Sequence, residues 1–177
     1  AGLAPLAVGT DGGGSIRIPG SFCGVFGRKP TCGVVPIYAM PNTGTRSHVG
    51  PMTRTVRDAA LMLSVMPGPD DRDPLSFPTT GTDFSEGLET GIRGLRVARS
   101  PTLGYARVHP EVLAATTRAA RRFEELGCQV DEVERVFADP DPIWAPLFYG
   151  GIAGRLQEYL PAWADRIDPG LVSVIEE

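Results

Sequence analysis

Apolar residues run from Leu3 to Val8 and stop at Gly9-Thr10-Asp11 and three consecutive glycines, a pattern that predicts a buried strand entering a tight loop. The chain resumes at Ser15-Ile16-Arg17-Ile18-Pro19. Val25-Phe26-Gly27 and Gly33-Val34-Val35-Pro36 are brief pieces cut by Gly and Pro, in the manner of short strands or extended connections. From Ile37 to Gly50 neither the helical nor the strand period is present. Pro41, Asn42, Gly44 and Ser47 give that stretch the composition of a loop. Thr55 stands three residues ahead of Asp58, as in a capping box. Val56, Ala59, Ala60, Leu63 and Met66 then recur at helical spacing up to Pro67-Gly68-Pro69, predicting a helix over roughly 56–66. A polar stretch opens at Asp70-Asp71-Arg72-Asp73-Pro74 and reaches about Gly94, long for a connection inside one domain. It either wraps the surface or marks a subdomain seam around 70–94.

Leu95-Arg96-Val97-Ala98 alternates like a strand. Pro110 begins a segment with Val112, Ala115, Ala119, Phe123 and Leu126 on one face, closed by Gly127, and Cys128, Val130 and Val133 supply a further strand. Strand, helix and strand within about 40 residues form a βαβ-like unit, which argues for α/β architecture. Ile143 to Leu160 mixes aromatic and apolar residues in a loosely helical pattern weakened by Gly150-Gly151 and Gly154. No internal repeat is present.

The 177 residues suffice for one domain of ordinary size. The 42% apolar and 21% charged shares exclude a disordered or coiled-coil chain, and 22 Gly with 17 Pro predict many turns. A net charge of −4 with no basic block gives a phosphate backbone or an anionic membrane no handle. Cys23, Cys32 and Cys128 are an odd set without a C-x-x-C pair. They fit neither a disulfide framework nor a zinc site, and a reducing, cytoplasmic compartment follows as the expectation. No stretch approaches the apolar length of a spanning helix, and the N-terminus lacks the charged and apolar regions expected of a signal peptide. Because the chain opens on Ala1 rather than Met, Ala1 reads as a cut.

The densest chemical feature is Val8-Gly9-Thr10-Asp11-Gly12-Gly13-Gly14-Ser15-Ile16-Arg17. Three adjacent glycines leave backbone N–H groups free to converge on an anion or an oxyanion, with a hydroxyl beside them; a tight turn is the plainer account of the same run. The P-loop pattern fails because no lysine follows the glycines. The nucleophile elbow G-x-S-x-G fails because Arg17 stands where its last glycine belongs. A nucleophilic serine needs a base. His48 reads as an exposed loop residue and His109 as a helix-entry residue. Lys29, the one lysine in the chain, could serve only if burial kept it neutral.

On these residues the chain resembles a known family. Ala1 to Thr31, AGLAPLAVGTDGGGSIRIPGSFCGVFGRKPT, closely resembles the second half of the glycine- and serine-rich signature of the amidase signature enzymes. The resemblance continues through Gly50-Pro51-Met52-Thr53-Arg54-Thr55-Val56-Arg57-Asp58-Ala59-Ala60, then Gly68-Pro69-Asp70 with Asp73-Pro74, and from Gly94 through Val133, weakening after about Phe137. It implies an α/β fold in which a mixed β-sheet is flanked by helices on both faces, with residues 1–177 an incomplete central part of a single amidase domain.

The resemblance further implies hydrolysis of a carboxylic amide by a serine–serine–lysine triad, with no metal or organic cofactor. Ser15 matches the nucleophile. Gly12, Gly13, Gly14 and the Ser15 amide match the oxyanion hole, and Thr10, Asp11 and Arg17 support the loop, the last two as an ion pair. Cys23 is expected to be buried and not a nucleophile. The family's bridging serine and base lysine lie upstream of the segment that matches Ala1, and Lys29 matches its Lys-Pro-Thr element instead of its base. The isolated fragment is therefore expected to have negligible activity, and its partial sheet to expose edges. The partner expected is a small-molecule amide, with no direct nucleic-acid contact and no membrane; a homodimer stays open. Two alternatives also stay open: an amidotransferase subunit of a transfer-RNA-dependent complex, from which Ile18 departs where Gln is usual, and a non-catalytic scaffold. Loop 37–50 and Trp144, Phe148 and Tyr149 are candidates for pocket walls.

Overall fold

Strand β1 (Leu6–Asp11) runs straight into the glycine run, and a short helix α1 (Arg17–Cys23) follows it at once. The computed structural model describes residues 2–39, 44–79 and 81–176. In it the chain divides into two units, Ala1–Glu86 with Ala145–Glu177, and Gly87–Trp144. The first unit continues with β2 (Phe26–Gly27), β3 (His48–Thr53) and helix α2 (Val56–Leu63). Its three strands form an antiparallel sheet in the order β1-β3-β2, with Leu6 opposite Thr53, Asp11 opposite His48 and Phe26 opposite Thr53.

Two expectations change here, and one segment without an assigned element takes shape. The apolar run entering the loop is a strand, as its pattern predicts, but it is not buried: Leu6 and Val8 are exposed, since β1 is an edge strand with β3 on one side. Residues from Ser15 to Pro19 turn into a helix. Pro19 is tolerated there because its missing N–H falls in the first turn, where helical donors have no partner anyway. The stretch 37–50 is not all loop, since Gly44–Arg46 forms a 3-10 turn and β3 starts at His48; residues 40–43 lie outside the described residues. The Gly and Pro of His48-Val49-Gly50-Pro51 mask the strand in the sequence.

Helix α2 begins where its capping signal predicts. Thr55 is extended, and its Oγ1 accepts from the Asp58 N–H at 3.1 Å. The helix ends at Leu63, short of Met66, and buries Ala59, Ala60, Met62 and Leu63, packing beside β3. Thr55→Ala is expected to cost about 1 kcal/mol, since it strands that first-turn donor. A urea titration with an unchanged slope checks it. The motif Gly68-Pro69-Asp70…Asp73-Pro74 proves to be a structural knot. Buried Asp73 accepts from the N–H of Ile37 at 2.8 Å and of Leu75 at 2.9 Å, while Ser76 Oγ accepts from the Asp70 N–H and donates to the Asp73 carbonyl.

The second unit holds β4 (Arg96–Arg99), α3 (Pro110–Glu125) and β5 (Gln129–Glu132), and β4 and β5 pair in parallel as a βαβ unit requires. His109 caps α3, its Nδ1 accepting from the Glu111 N–H at 3.3 Å, which is the role read for it in the sequence. The apolar stripe read for α3 is not its packed face, however. Val112, Ala115, Ala119, Phe123 and Leu126 are exposed, while Leu113, Thr117 and Ala120 are half-buried on a helix that packs beside β5. Helices α4 (Asp141–Leu156), α5 (Leu160–Trp163) and α6 (Pro169–Glu176) complete the chain, α4 carrying Pro146 within it.

Candidate active site

The loop joining β1 to α1 is organised by one carboxylate. Asp11, the last residue of β1, is 1% exposed. Its Oδ1 accepts from the Gly14 N–H at 2.8 Å and from Arg17 Nη2 at 2.8 Å; its Oδ2 accepts from the N–H groups of Ile16 at 3.2 Å and Arg17 at 3.3 Å and from Arg17 Nε at 2.9 Å. The fork-to-fork pairing with Arg17 and the three backbone donors favour the charged form and hold the Asp11 carboxyl well below the usual carboxylate range, against the opposing effect of burial. The same pair raises the pKa of Arg17. The ion pair read from the sequence is therefore present, and it does more than neutralise charge: it gathers the amides of the loop around a single acceptor. Thr10 pairs with Val49 in the ladder, and its side chain is exposed.

Two residues fix the loop from within. Gly14 adopts φ +125°, a conformation L side chains rarely take, and a Cβ there would lie 2.6 Å from Ile18 Cδ1. Ile16 is fully buried in the space left by Gly9 and Gly27; a Cβ on Gly27 would come within 2.8 Å of the Ile16 carbonyl oxygen. With Ile16 anchored inside and α1 starting at Arg17, Ser15 is left exposed at the crest of the turn. Gly14, expected among the free donors, has its N–H committed to Asp11. Among the described residues, none outside the strand ladder accepts from the N–H of Gly12, Gly13 or Ser15. Three consecutive loop positions thus carry two glycine amides and a bonded glycine, followed by a serine with amide and hydroxyl both open.

The candidate bases stand apart from this crest. Lys29 is half-buried, its Nζ donates to the Pro30 carbonyl at 3.1 Å, and burial first and then the Arg17 cation lower its pKa. Among the described residues no hydrogen bond joins Lys29 to Ser15. His48 is not the exposed loop histidine read from the sequence. It opens β3, is half-buried, and its Nδ1 lies 2.7 Å from the Arg46 carbonyl oxygen and 3.2 Å from that of Asp11. Cys23, expected to be buried, is exposed at the end of α1. Among the described residues no group of three His, Cys, Asp or Glu could hold a metal ion, and no helix is long and apolar enough to cross a membrane.

Of the pocket candidates, Tyr149 lines a cavity of about 420 Å³ between α4 and α6, with Ala145, Pro146, Gly150, Ala153 and Val174, and Phe148 stacks edge-on against it at 5.6 Å. Ile37, Gly44 and Ser47 of the 37–50 stretch line a far smaller space near Cys32 and Asp73.

Known proteins resemble this chain over most of its length. The amidase family model matches residues 1–161. An acylamidase from Rhodococcus erythropolis is 42% identical over 182 residues, covering 100% of this chain and 38% of that protein. An amidase from Pseudomonas putida is 43% identical over 136 residues, 76% of this chain and 29% of its own. A glutamyl-tRNA(Gln) amidotransferase subunit from Rubrobacter xylanophilus is 45% identical over 135 residues, 75% of this chain and 28% of its own. Among solved structures, a bacterial aryl acylamidase of the amidase signature enzymes matches with a TM-score of 0.87 and 32% identity, over 99% of this chain and 38% of that one. The chain spans 38% or less of the length of these relatives. A signature loop built around Asp11, a family model that takes in both units and relatives above 40% identity lead to one conclusion: the chain belongs to the amidase signature family.

Proposed function

We propose that this chain carries the nucleophile and the oxyanion donors of an amide hydrolase, with Ser15 as the attacking residue. The observation that carries the reading is the Asp11-centred loop, which leaves the Ser15 hydroxyl exposed beside the open N–H groups of Gly12, Gly13 and Ser15. Ser15 Oγ adds to the amide carbonyl carbon, and the carbonyl oxygen becomes an oxyanion met by those donors. Collapse breaks the C–N bond, and the nitrogen leaves as ammonia or amine with the proton taken from Ser15. Water then adds to the Ser15 ester, and the carboxylate departs as the hydroxyl re-forms. By family resemblance the proton passes through a bridging serine to a lysine, both contributed from positions upstream of those that match Ala1.

The acylamidase relative aligns with the whole chain, whereas the amidotransferase relative covers 75% of it, and this favours a hydrolase acting on a small acyl amide. The amidotransferase reading rests on that second relative and predicts dependence on partner subunits. The test is covalent. The protein expressed from its complete gene is treated with a fluorophosphonate and with the nitroanilide of acetic acid, and the modified peptide is mapped. Turnover without other subunits and an adduct on Ser15 support the hydrolase. Turnover with the adduct elsewhere overturns the assignment of Ser15, and labelling of Ser15 with amide cleavage appearing only on addition of partner subunits favours the amidotransferase.

A further inference from the structure

We infer that His48 is a positioning residue for the oxyanion loop, setting the direction of the Gly12 N–H; the inference rests on the reading of that loop given above. His48 Nδ1 faces two carbonyl oxygens, Arg46 at 2.7 Å and Asp11 at 3.2 Å. Carbonyl oxygens only accept, so Nδ1 carries the hydrogen and shares it between them. The Asp11 carbonyl and the Gly12 N–H belong to one trans peptide plane and point in opposite directions. A donor held on that oxygen therefore aims the Gly12 N–H the other way.

The carboxylate of Asp11 does not reach this peptide, since its backbone partners are Gly14, Ile16 and Arg17. Asp11 and His48 form the last pair of the β1–β3 ladder, the point where the chain leaves the sheet for the glycine run. His48 clamps it from the side chain to the turn Gly44–Arg46. That turn is itself tied down, because Arg46 Nη2 donates to the Leu147 carbonyl of α4. The glycines on the other side of the plane offer no side chain to restrain it. A histidine two residues beyond that turn thus adds, through one shared hydrogen, a side-chain restraint beside the last ladder pair.

The side-chain chemistry gives a test with a built-in control. An asparagine amide nitrogen sits about where histidine Nδ1 sits, two bonds from Cβ, whereas a glutamine amide nitrogen reaches the place of Nε2. In the protein expressed from its complete gene, His48→Gln and His48→Phe are expected to lower kcat about tenfold with KM unchanged, less than the hundredfold or more that loss of a donor outright costs. His48→Asn should retain kcat within about threefold. Amide hydrogen exchange at Gly14, the loop amide held by Asp11, read alongside, should quicken in His48→Gln and not in His48→Asn, and it does not depend on catalysis. Equal kcat in the Asn and Gln variants, or an effect confined to KM, overturns the inference. Retained turnover in Ser15→Ala is a different result, sinking the reading of the nucleophile while the exchange experiment still judges His48.

Discussion

Ser15→Ala is expected to lower amide turnover a thousandfold or more while leaving the fold intact. The size of the loss follows from removing the atom that forms the covalent bond. Where a nucleophile is deleted from a constellation that acts as a unit, what remains is the modest acceleration from the oxyanion donors and from binding, on the order of a thousandfold over water. The stability forecast follows from what the Ser15 side chain touches. It is exposed, and among the described residues its hydroxyl makes no hydrogen bond. Its removal should therefore move stability by no more than about 0.5 kcal/mol. The measurement is a pair: kcat of the variant against that of the parent, and the urea midpoint of both. A variant that keeps turnover removes Ser15 from the mechanism. One that loses turnover along with its folded structure would show that the crest of the loop is part of the core, which its exposure argues against.

How much of the fold and of the site is legible in the sequence depends on whether an element carries its own signal. The βαβ unit of β4, α3 and β5 and the capped start of α2 are legible because their determinants are local: an alternation, a proline at a helix start, a threonine three residues ahead of an aspartate. Helix α1 is not. It is held by Gly14 and Ile16 carbonyls accepting from Ile18 and Gly20 and by the buried side chain of Ile16, none of which a seven-residue segment with Pro19 in it advertises. Burial is the weakest inference. The apolar stripe of α3 and the apolar face of β1 both point inward on pattern alone, and both are exposed among the described residues. Hydrophobic spacing tells which residues would leave water, not which surface receives them. Within the candidate site, Asp11 with Arg17 is readable as a charge pair six residues apart. The wider role of Asp11 as acceptor for three backbone amides is not, because it depends on how the loop folds back on its own carboxylate, nor is that of His48, which depends on where β3 lies across the sheet.

Asp11→Ala is expected to cost about 3 kcal/mol of folding stability and most of the activity. Removing the carboxylate strands the N–H groups of Gly14 and Ile16, both buried, and each unsatisfied buried donor costs about 1–3 kcal/mol. The Arg17 side chain is 54% exposed and can return to water, which keeps the figure at the lower end of what breaking a buried pair costs, about 3–5 kcal/mol. Asp11→Asn tests the charge separately from the shape, since it keeps one acceptor oxygen and turns an amide NH2 toward groups that themselves donate. It should lose about 2 kcal/mol. The pH dependence has a definite sign. The folded carboxyl titrates well below the usual range, while in the unfolded chain it titrates near the ordinary aspartate value of about 3.9. As pH falls below about 4 the unfolded state takes up the proton first, so the contribution of Asp11 is complete above that value and shrinks steadily toward stronger acid. Urea midpoints measured from neutral pH down to acid should thus fall more steeply for the parent than for Asp11→Asn, and the two curves should converge. Parallel curves would mean that the carboxylate is not what holds the loop, and that the anchoring of Ile16 alone shapes the turn on which Ser15 stands.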